Sequence, residues 1–214
     1  MTLSKRLELI AKKVETGDIV ADVGCDHAYL SIYLVKNFIC DHVIATEISK
    51  GPYNNAKNNI VLNGVENKIK LYLTDGLSNV TDYINTIIIS GMGTDTIMGI
   101  LNNYNNLNNI NKIIISSHNK YSHMRKFLNQ IGFIIVDEEY INDKNKMYLV
   151  MTAKKSSKKN TSNEINYGLK LKKNVFFYEW YLKKILLLLK KVPKYSTRYQ
   201  ELEKEIEIIK EYIN

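Results

Sequence analysis

The sequence predicts an α/β domain built on a doubly wound, seven-stranded and mostly parallel sheet, followed by an antiparallel helical hairpin. Apolar strand-like runs alternate with helical patterns along the first 150 residues. Two runs, 87–89 and 113–115, are apolar on both faces, which is typical of parallel strands covered by helices on both sides. The last two runs form a hairpin and place an antiparallel edge on the sheet. Beyond residue 164, apolar residues recur at heptad spacing.

Each element follows from a local pattern. Apolar residues at steps of three and four predict the helices, and Pro52 marks the first turn of the third one. The predicted helices are 3–14, 28–36, 52–62, 94–101 and 122–131. The predicted strands are 19–23, 43–47, 69–74, 86–90 and 113–116, with a closing hairpin of 133–141 and 147–152.

The C-terminal part of the chain begins with a polar stretch, residues 154–163, which has no periodicity and is predicted to be a linker or an exposed loop. Apolar residues then step by three and four over 175–192 and again over 199–213, on either side of a turn that contains proline. Thr197 and Gln200 are predicted to form the capping box of the second helix. Two such helices joined by a short turn predict an antiparallel coiled coil.

The net charge of +8 is carried entirely by the C-terminal part. Residues 1–150 contain 15 Lys and Arg against 15 Asp and Glu, whereas residues 151–214 contain 15 against 7. Within that part, residues 151–198 have 13 basic and 2 acidic side chains. This asymmetry favours a polyanionic partner over a merely solvated surface. We therefore predict a sheet domain, residues 1–153, and a basic helical-hairpin domain, residues 164–214.

Composition excludes several classes of protein. No apolar run approaches the ~18 residues that span a membrane, and the N-terminal segment lacks the features of a signal peptide. Cys25 and Cys40 form no CxxC pair, which excludes a disulfide scaffold and a cysteine-based zinc site. His118 and His123 do not share a helical face, so no metal site is predicted. We expect a cytoplasmic monomer.

The strongest functional signal is a series of turns at the carboxyl ends of the predicted strands, where such folds bind ligands. Asp22-Val-Gly24 ends the first strand with one glycine, and Asp26 follows, so the pyrophosphate of a dinucleotide would be repelled. S-adenosylmethionine, which carries an ammonium and a sulfonium, tolerates these carboxylates. Glu47 ends the second strand and is suited to bind ribose hydroxyls. The other predicted cofactor-binding residues are Ile48, Asp75, Gly76, Gly91, Met92 and Gly93.

Several motifs resemble those of a known family: residues 3–7, Asp26-His-Ala-Tyr-Leu30, Gly51-Pro52, Asp75-Gly76, Gly91-Met-Gly93 and Arg125, together with the basic hairpin. Over essentially the whole chain, the sequence resembles the bacterial TrmK-like tRNA methyltransferases, which modify N1 of adenine 22. The resemblance implies a Rossmann-like class I methyltransferase fold, S-adenosylmethionine as cofactor and tRNA as partner. Ser31 and Thr94 stand where the family carries proline and glycine. In the stretch 117–119, only Asn119 matches the family pattern.

The resemblance also implies a chemistry. N1 of neutral adenine has a ring lone pair and needs no deprotonation, so the enzyme mainly aligns the reacting atoms. Asp26 is the candidate for stabilising the charge that develops on the ring, and His27 and Tyr29 are candidates for positioning the base or the cofactor. The candidate RNA contacts are Lys183, Lys184, Lys190 and Lys191.

Other interpretations stay open at the level of the sequence. The chain is also compatible with a methyltransferase of another RNA or of a small molecule, and with a non-catalytic RNA-binding protein that has kept the fold. His27, Tyr29 and Met92 are as compatible with packing as with function, and for Trp180 packing within the hairpin is favoured over base stacking.

Overall fold

The computed structural model describes residues 2–117, 119–144 and 146–214. Within these residues, the strands are β1 (Val20–Val23), β2 (Val43–Glu47), β3 (Ile69–Leu73), β4 (Thr86–Met92), β5 (Lys112–Ser117), β6 (Phe133–Asp143) and β7 (Lys146–Lys155). They form one sheet in the order β3-β2-β1-β4-β5-β7-β6. The first five strands pair in parallel, and β7 is antiparallel to both β5 and β6. The predicted doubly wound sheet with an antiparallel edge is confirmed.

The α-helices of the described residues are α1 (Lys5–Ala11), α2 (Tyr29–Lys36), α3 (Lys50–Leu62), α4 (Thr94–Asn102), α5 (Tyr121–Gln130), α6 (Ser162–Tyr167), α7 (Val175–Leu189) and α8 (Thr197–Ile213). Short 3₁₀ turns lie at Leu107–Asn109 and Lys172–Asn174. α3 begins two residues before Pro52, which still lies in the first turn, where a backbone N–H has no acceptor within the helix. Among these helices, none is both long and apolar enough to cross a membrane.

Successive side chains of the central strands point to opposite faces of the sheet and pack into two hydrophobic cores, one on each face. Ile87 and Ile89 of β4 are fully buried in a core that includes side chains of α4 and α5. Ile88 points the opposite way, into a core that includes side chains of α1, α2 and α3. The runs of three isoleucines are therefore apolar because each strand is covered on both faces.

In the stretch 154–163, predicted to be a linker or an exposed loop, residues 156–161 lie outside helices and strands and most side chains are exposed. Lys154 and Lys155 extend β7, and Asn160 is buried against the outer edge of β6. The Asn160 amide accepts a hydrogen bond from the Ile135 N–H at 2.8 Å and donates one to the Ile135 carbonyl at 3.1 Å. Thr161 then caps α6 in a capping box with Glu164. Asn160 is the buried exception in this stretch, and composition alone does not indicate that its side chain binds backbone rather than solvent.

The predicted helical hairpin is confirmed as α7 packed against α8. Tyr178 and Ile185 of α7 are buried with a stripe of α8 side chains, Leu202, Ile206, Ile209 and Tyr212. The predicted capping box of Thr197 with Gln200 is wrong by one residue. Ser196 is the N-cap, and its hydroxyl accepts a hydrogen bond from the Tyr199 N–H at 3.1 Å.

Candidate functional site

A cavity of about 480 Å³ opens at the carboxyl ends of β1, β2, β3 and β4. It collects nearly all of the cofactor and catalytic residues predicted from the sequence. Those that line it are Asp22, Gly24, Asp26, His27, Tyr29, Glu47, Ile48, Asp75, Gly76, Gly91 and Met92. Gly93 does not line it, because it forms the N-cap of α4 one residue beyond the strand.

Gly24 is required by the shape of the turn after β1. Its φ is +70°, a conformation that side chains disfavour, and a Cβ there would lie 2.1 Å from Met92 Cε. The Gly24 and Cys25 N–H groups both donate to the Thr46 carbonyl of β2 at 2.9 Å. The turn is thus fixed to the neighbouring strand, and Met92 Cε packs against it where a Cβ would otherwise lie.

Asp22 lies beneath this turn and is 5% exposed. Burial raises the pKa of the Asp22 carboxyl to about 6, and a hydrogen bond from the Ser31 hydroxyl at 2.6 Å partly opposes this rise. Ser31 is one of the positions where the chain departs from the family it resembles. Here the departure supplies a hydroxyl donor from α2 to the buried carboxylate. Because the pKa of Asp22 is about 6, a cation bound nearby would favour the ionised form of this carboxyl group.

The Glu47 carboxylate ties the first two turns together. One oxygen accepts hydrogen bonds from the N–H groups of Ile48 and Ser49, at 3.0 and 3.2 Å. The other accepts from the Asp26 N–H at 3.2 Å. The side chain is buried, at 8% residue exposure, yet it borders the cavity. These three donors hold the carboxylate in one orientation before any ligand binds.

Asp26, His27 and Tyr29 form the rim of the cavity rather than its floor. The Asp26 side chain is 70% exposed and that of His27 39% exposed. The His27 and Tyr29 rings are stacked, with centroids 5.1 Å apart and planes 16° apart. Asn59 of α3 donates to the His27 carbonyl at 3.0 Å and fixes this segment. The rim thus offers a carboxylate beside a flat pair of rings.

The stretch after β5 contacts the start of α4. The Thr94 hydroxyl donates to the Asn119 carbonyl at 2.5 Å, so the threonine that replaces the family's glycine fixes this stretch through its backbone. Asn119 does not line the cavity. His118 lies outside the described residues. His123 is exposed on α5.

Arg6 of α1 lines the cavity and was not among the predicted site residues. Its guanidinium lies over the Tyr148 ring, 4.8 Å from the centroid, and near the Cβ position of Gly91, with Nη1 3.7 Å away. In the described part of the chain it makes no ion pair with a carboxylate. The signal was present in the motif at residues 3–7, but periodicity explained that segment as an ordinary amphipathic helix.

Cys25, a metal site and the four candidate RNA-binding lysines remain to be placed, and none of them contributes a reactive group to this cavity. Burial raises the pKa of the Cys25 thiol well above its usual range, so this side chain is not a nucleophile. The described residues include no group of three His, Cys, Asp or Glu side chains arranged to hold a metal ion. The four candidate RNA contacts, Lys183, Lys184, Lys190 and Lys191, are exposed at the C-terminal half of α7 and just beyond it, outside the cavity lining.

Comparison with known proteins agrees with this geometry. The model of a family described as "Methyltransferase domain" matches residues 3–151. A tRNA (adenine(22)-N(1))-methyltransferase of Bacillus subtilis is 32% identical over 155 residues, which cover 72% of this chain and 65% of that relative, slightly less than two thirds of its length. Sheet order, cavity position and family match together define a class I methyltransferase domain.

Two solved structures extend the likeness to the C-terminal helices. TrmK of M. capricolum, in complex with S-adenosyl-homocysteine, is 28% identical with a TM-score of 0.84, and the alignment covers 100% of this chain and 98% of that one. Sp1610 of Streptococcus pneumoniae, in complex with S-adenosyl-L-methionine, is 32% identical with a TM-score of 0.83 over the full length of both chains. The chain belongs to the TrmK-like family of bacterial tRNA (adenine-22, N1)-methyltransferases.

Proposed function

We propose that the protein transfers a methyl group from S-adenosylmethionine to N1 of adenine 22 in tRNA. The observation that carries the proposal is the cavity in which four strand ends converge, with Asp22, Gly24, Glu47 and Asp75 in the order that this cofactor requires. The names of the family relatives supply the substrate.

The cavity fits this cofactor by its own chemistry. Gly24 lines the cavity without a side chain, and its φ of +70° disfavours any other residue at this turn. The carboxylates of Asp22, Asp26 and Glu47 suit a ligand with an ammonium and a sulfonium, and they oppose a pyrophosphate. Glu47 holds the ribose hydroxyls, and Asp75 with Gly76 borders the adenine. When bound, the cofactor supplies an electrophilic methyl group on sulfur.

The rim residues act on the target base. Adenine N1 attacks through its ring lone pair, so no side chain has to remove a proton first. The stacked His27 and Tyr29 rings give the base a flat surface, and the exposed Asp26 carboxylate stabilises the positive charge that methylation leaves on the ring. The Asp26 N–H donates to Glu47, which borders the cofactor side of the cavity. This hydrogen bond fixes the backbone that carries the Asp26 carboxylate. The target base leaves its stack to reach this rim.

Capture of tRNA is the proposed role of the basic hairpin. Lys183, Lys184, Lys190 and Lys191 are exposed and face no carboxylate within ion-pair distance among the described residues. We expect their reversal to Glu to weaken tRNA binding and to flatten its salt dependence, since each neutralised phosphate releases counterions. Reversal of Lys204 and Lys210 on the acidic α8 is the matched control. A salt-independent affinity of the unaltered protein would contradict the capture role.

Finer features belong to the same proposal. The protein acts as a monomer, needs no metal ion and works in the cytoplasm, where its tRNA substrate is found. The direct test is incubation of the protein with an unmodified tRNA transcript and labelled cofactor, followed by nucleoside mass spectrometry. Label in 1-methyladenosine, lost when adenine 22 is changed to guanine, supports the proposal. Label elsewhere, or none, refutes it.

A further inference from the structure

A second cavity of about 430 Å³ lies between α7, α5 and the extended ends of β6 and β7. We name it the aromatic groove. Tyr140 of β6 and three residues of α7, Phe177, Trp180 and Tyr181, give it aromatic walls, and Lys184 stands at its edge. None of these residues borders the cavity at the strand ends. The volume lies in the range of small-ligand sites.

The rings of the groove are already ordered in parallel. Tyr140 and Phe177 are stacked with centroids 3.5 Å apart and planes 6° apart, and Phe177 is parallel to Tyr181 at 5.8 Å. Trp180 is beside them, with its centroid 5.6 Å from that of Phe177, and it is 41% exposed. Three rings are therefore fixed by packing, while the fourth presents a large aromatic surface to solvent.

A cation adjoins this exposed ring. Lys184 Nζ lies 3.9 Å from the centroid of Trp180 and has no carboxylate partner among the described residues. The surrounding segment, residues 151–198, has 13 basic and 2 acidic side chains. An aromatic surface with a neighbouring cation that makes no ion pair is the combination that binds single-stranded nucleic acid, since the base stacks and the phosphate pairs. The same charge opposes a basic partner.

The groove lies beside the reaction site. Met147 borders the groove, and the next residue of β7, Tyr148, contacts the Arg6 guanidinium at the first cavity. Neighbouring residues of a strand point to opposite faces, so the two cavities lie on the two sides of one strand. The start of β7 thus contacts the groove on one side and the Arg6 side chain of the first cavity on the other.

We propose that the aromatic groove binds one unpaired nucleoside of the tRNA, other than the methylated adenine, with its base stacked on Trp180 and its phosphate at Lys184. This inference rests on the proposed function for the identity of the RNA. It adds a site that recognises an unpaired base, whereas the lysines alone would bind any phosphate backbone.

Trp180 reports directly on the site because it is the single tryptophan of the chain. The full-length protein is titrated with an unmodified tRNA transcript and, separately, with a fully paired RNA duplex that has the same number of phosphates. We expect tRNA to quench the emission of Trp180 strongly and the duplex to leave it nearly unchanged. Equal quenching by both RNAs, or none by tRNA, overturns the proposal. A concentration-dependent change without RNA would indicate a second copy of the chain in the groove and also overturns it.

Substitutions give an independent test. Trp180→Ala should weaken tRNA binding by roughly five- to 150-fold, the range for stacking one base on an aromatic ring, and Trp180→Phe should recover most of the loss. Affinity for S-adenosylmethionine and the rate at saturating tRNA should stay unchanged. Phe176→Ala is the matched control, because Phe176 is 46% exposed on the same helix but does not line the groove.

Wild-type tRNA affinity in Trp180→Ala overturns the groove assignment. If that variant does not fold, the quenching of the unaltered protein by tRNA and by the duplex decides. Failure of the unaltered protein to methylate tRNA would refute the proposed function instead. Methylation is measured in a separate assay from quenching and binding, so the two failures can be distinguished.

Discussion

Replacement of Arg125 by Met should destabilise the whole protein, because it leaves a buried carboxylate without its partner. Arg125 of α5 donates from Nε to Glu138 Oε1 of β6 at 2.6 Å, and both side chains are at most 3% exposed. The arginine also donates to the Ile165 carbonyl at 3.3 Å, and the second glutamate oxygen accepts from the Leu169 N–H at 2.7 Å. The pair thus joins the sheet to α6 and to the segment that follows it.

The size of the effect follows from this burial. Removal of one partner of a buried ion pair costs about 3–5 kcal/mol, since the remaining charge has neither solvent nor counterion. The double variant Arg125→Met with Glu138→Leu leaves no buried charge and should lose less than the single variant. Lys120→Met is the control, because it breaks an exposed pair with Asp95 and should change the free energy of unfolding by less than about 0.5 kcal/mol.

Urea denaturation followed by Trp180 emission and by far-ultraviolet circular dichroism measures these differences. Trp180 lies on α7, so its emission reports the hairpin, while circular dichroism reports all helices and strands. Coincident transitions are expected, since the Arg125–Glu138 pair couples the two regions. If Arg125→Met lost no more stability than Lys120→Met, or if the double variant lost as much stability as Arg125→Met, the reasoning would be refuted.

Three further predictions concern the cavity. Affinity for S-adenosylmethionine should fall as the pH falls through about 6, because Asp22 then becomes protonated in the free protein and attracts a cation less; Asp22→Asn should flatten this dependence in calorimetric titrations between pH 5 and 7. Glu47→Ala should weaken cofactor binding by about 1.5–3 kcal/mol for each charge-assisted bond lost, and unchanged affinity would remove Glu47 from the ribose site. Asp26→Asn should slow single-turnover methyl transfer more than it weakens tRNA binding, and a normal rate would leave Asp26 without a catalytic role.

The sequence was sufficient to predict the sheet, because its strands are marked by apolar runs and its turns by glycine and acids. Ile87–Ile89 is an example, since three β-branched residues between polar ends fit only a strand covered on both faces. Ends of elements were less predictable. β4 continues through Gly91 and Met92, which on the sequence looked like the turn after it. A strand end depends on the neighbouring strand, and β5 pairs with Met92 through a register shift that no local pattern encodes.

Site residues were predictable from the sequence where only one residue type fits the local backbone conformation. Gly24 has a φ of +70°, a conformation that side chains disfavour, so glycine at this turn is informative by itself. Arg6 was missed because its role depends on α1 lying against β6 and β7, which only the folded chain establishes. The aromatic groove was missed for the same reason. Tyr140 and Phe177 are far apart in sequence, and heptad spacing alone assigned the α7 aromatics to the hairpin seam.

Covering of the sheet edge explains why the helical part cannot simply be removed to test tRNA capture. β6 is the outermost strand, and an open edge exposes unpaired backbone groups. Here side-chain amides from beyond residue 153 pair with it: Asn160 bonds both backbone groups of Ile135, and Asn174 accepts from the Tyr140 N–H at 3.1 Å and donates to the Glu138 carbonyl at 2.9 Å. Truncation at residue 153 would expose this edge and leave the Arg125–Glu138 pair without its contacts to Ile165 and Leu169. Loss of activity on truncation would then report unfolding as much as lost RNA contacts, so charge reversal on the intact chain is the discriminating experiment.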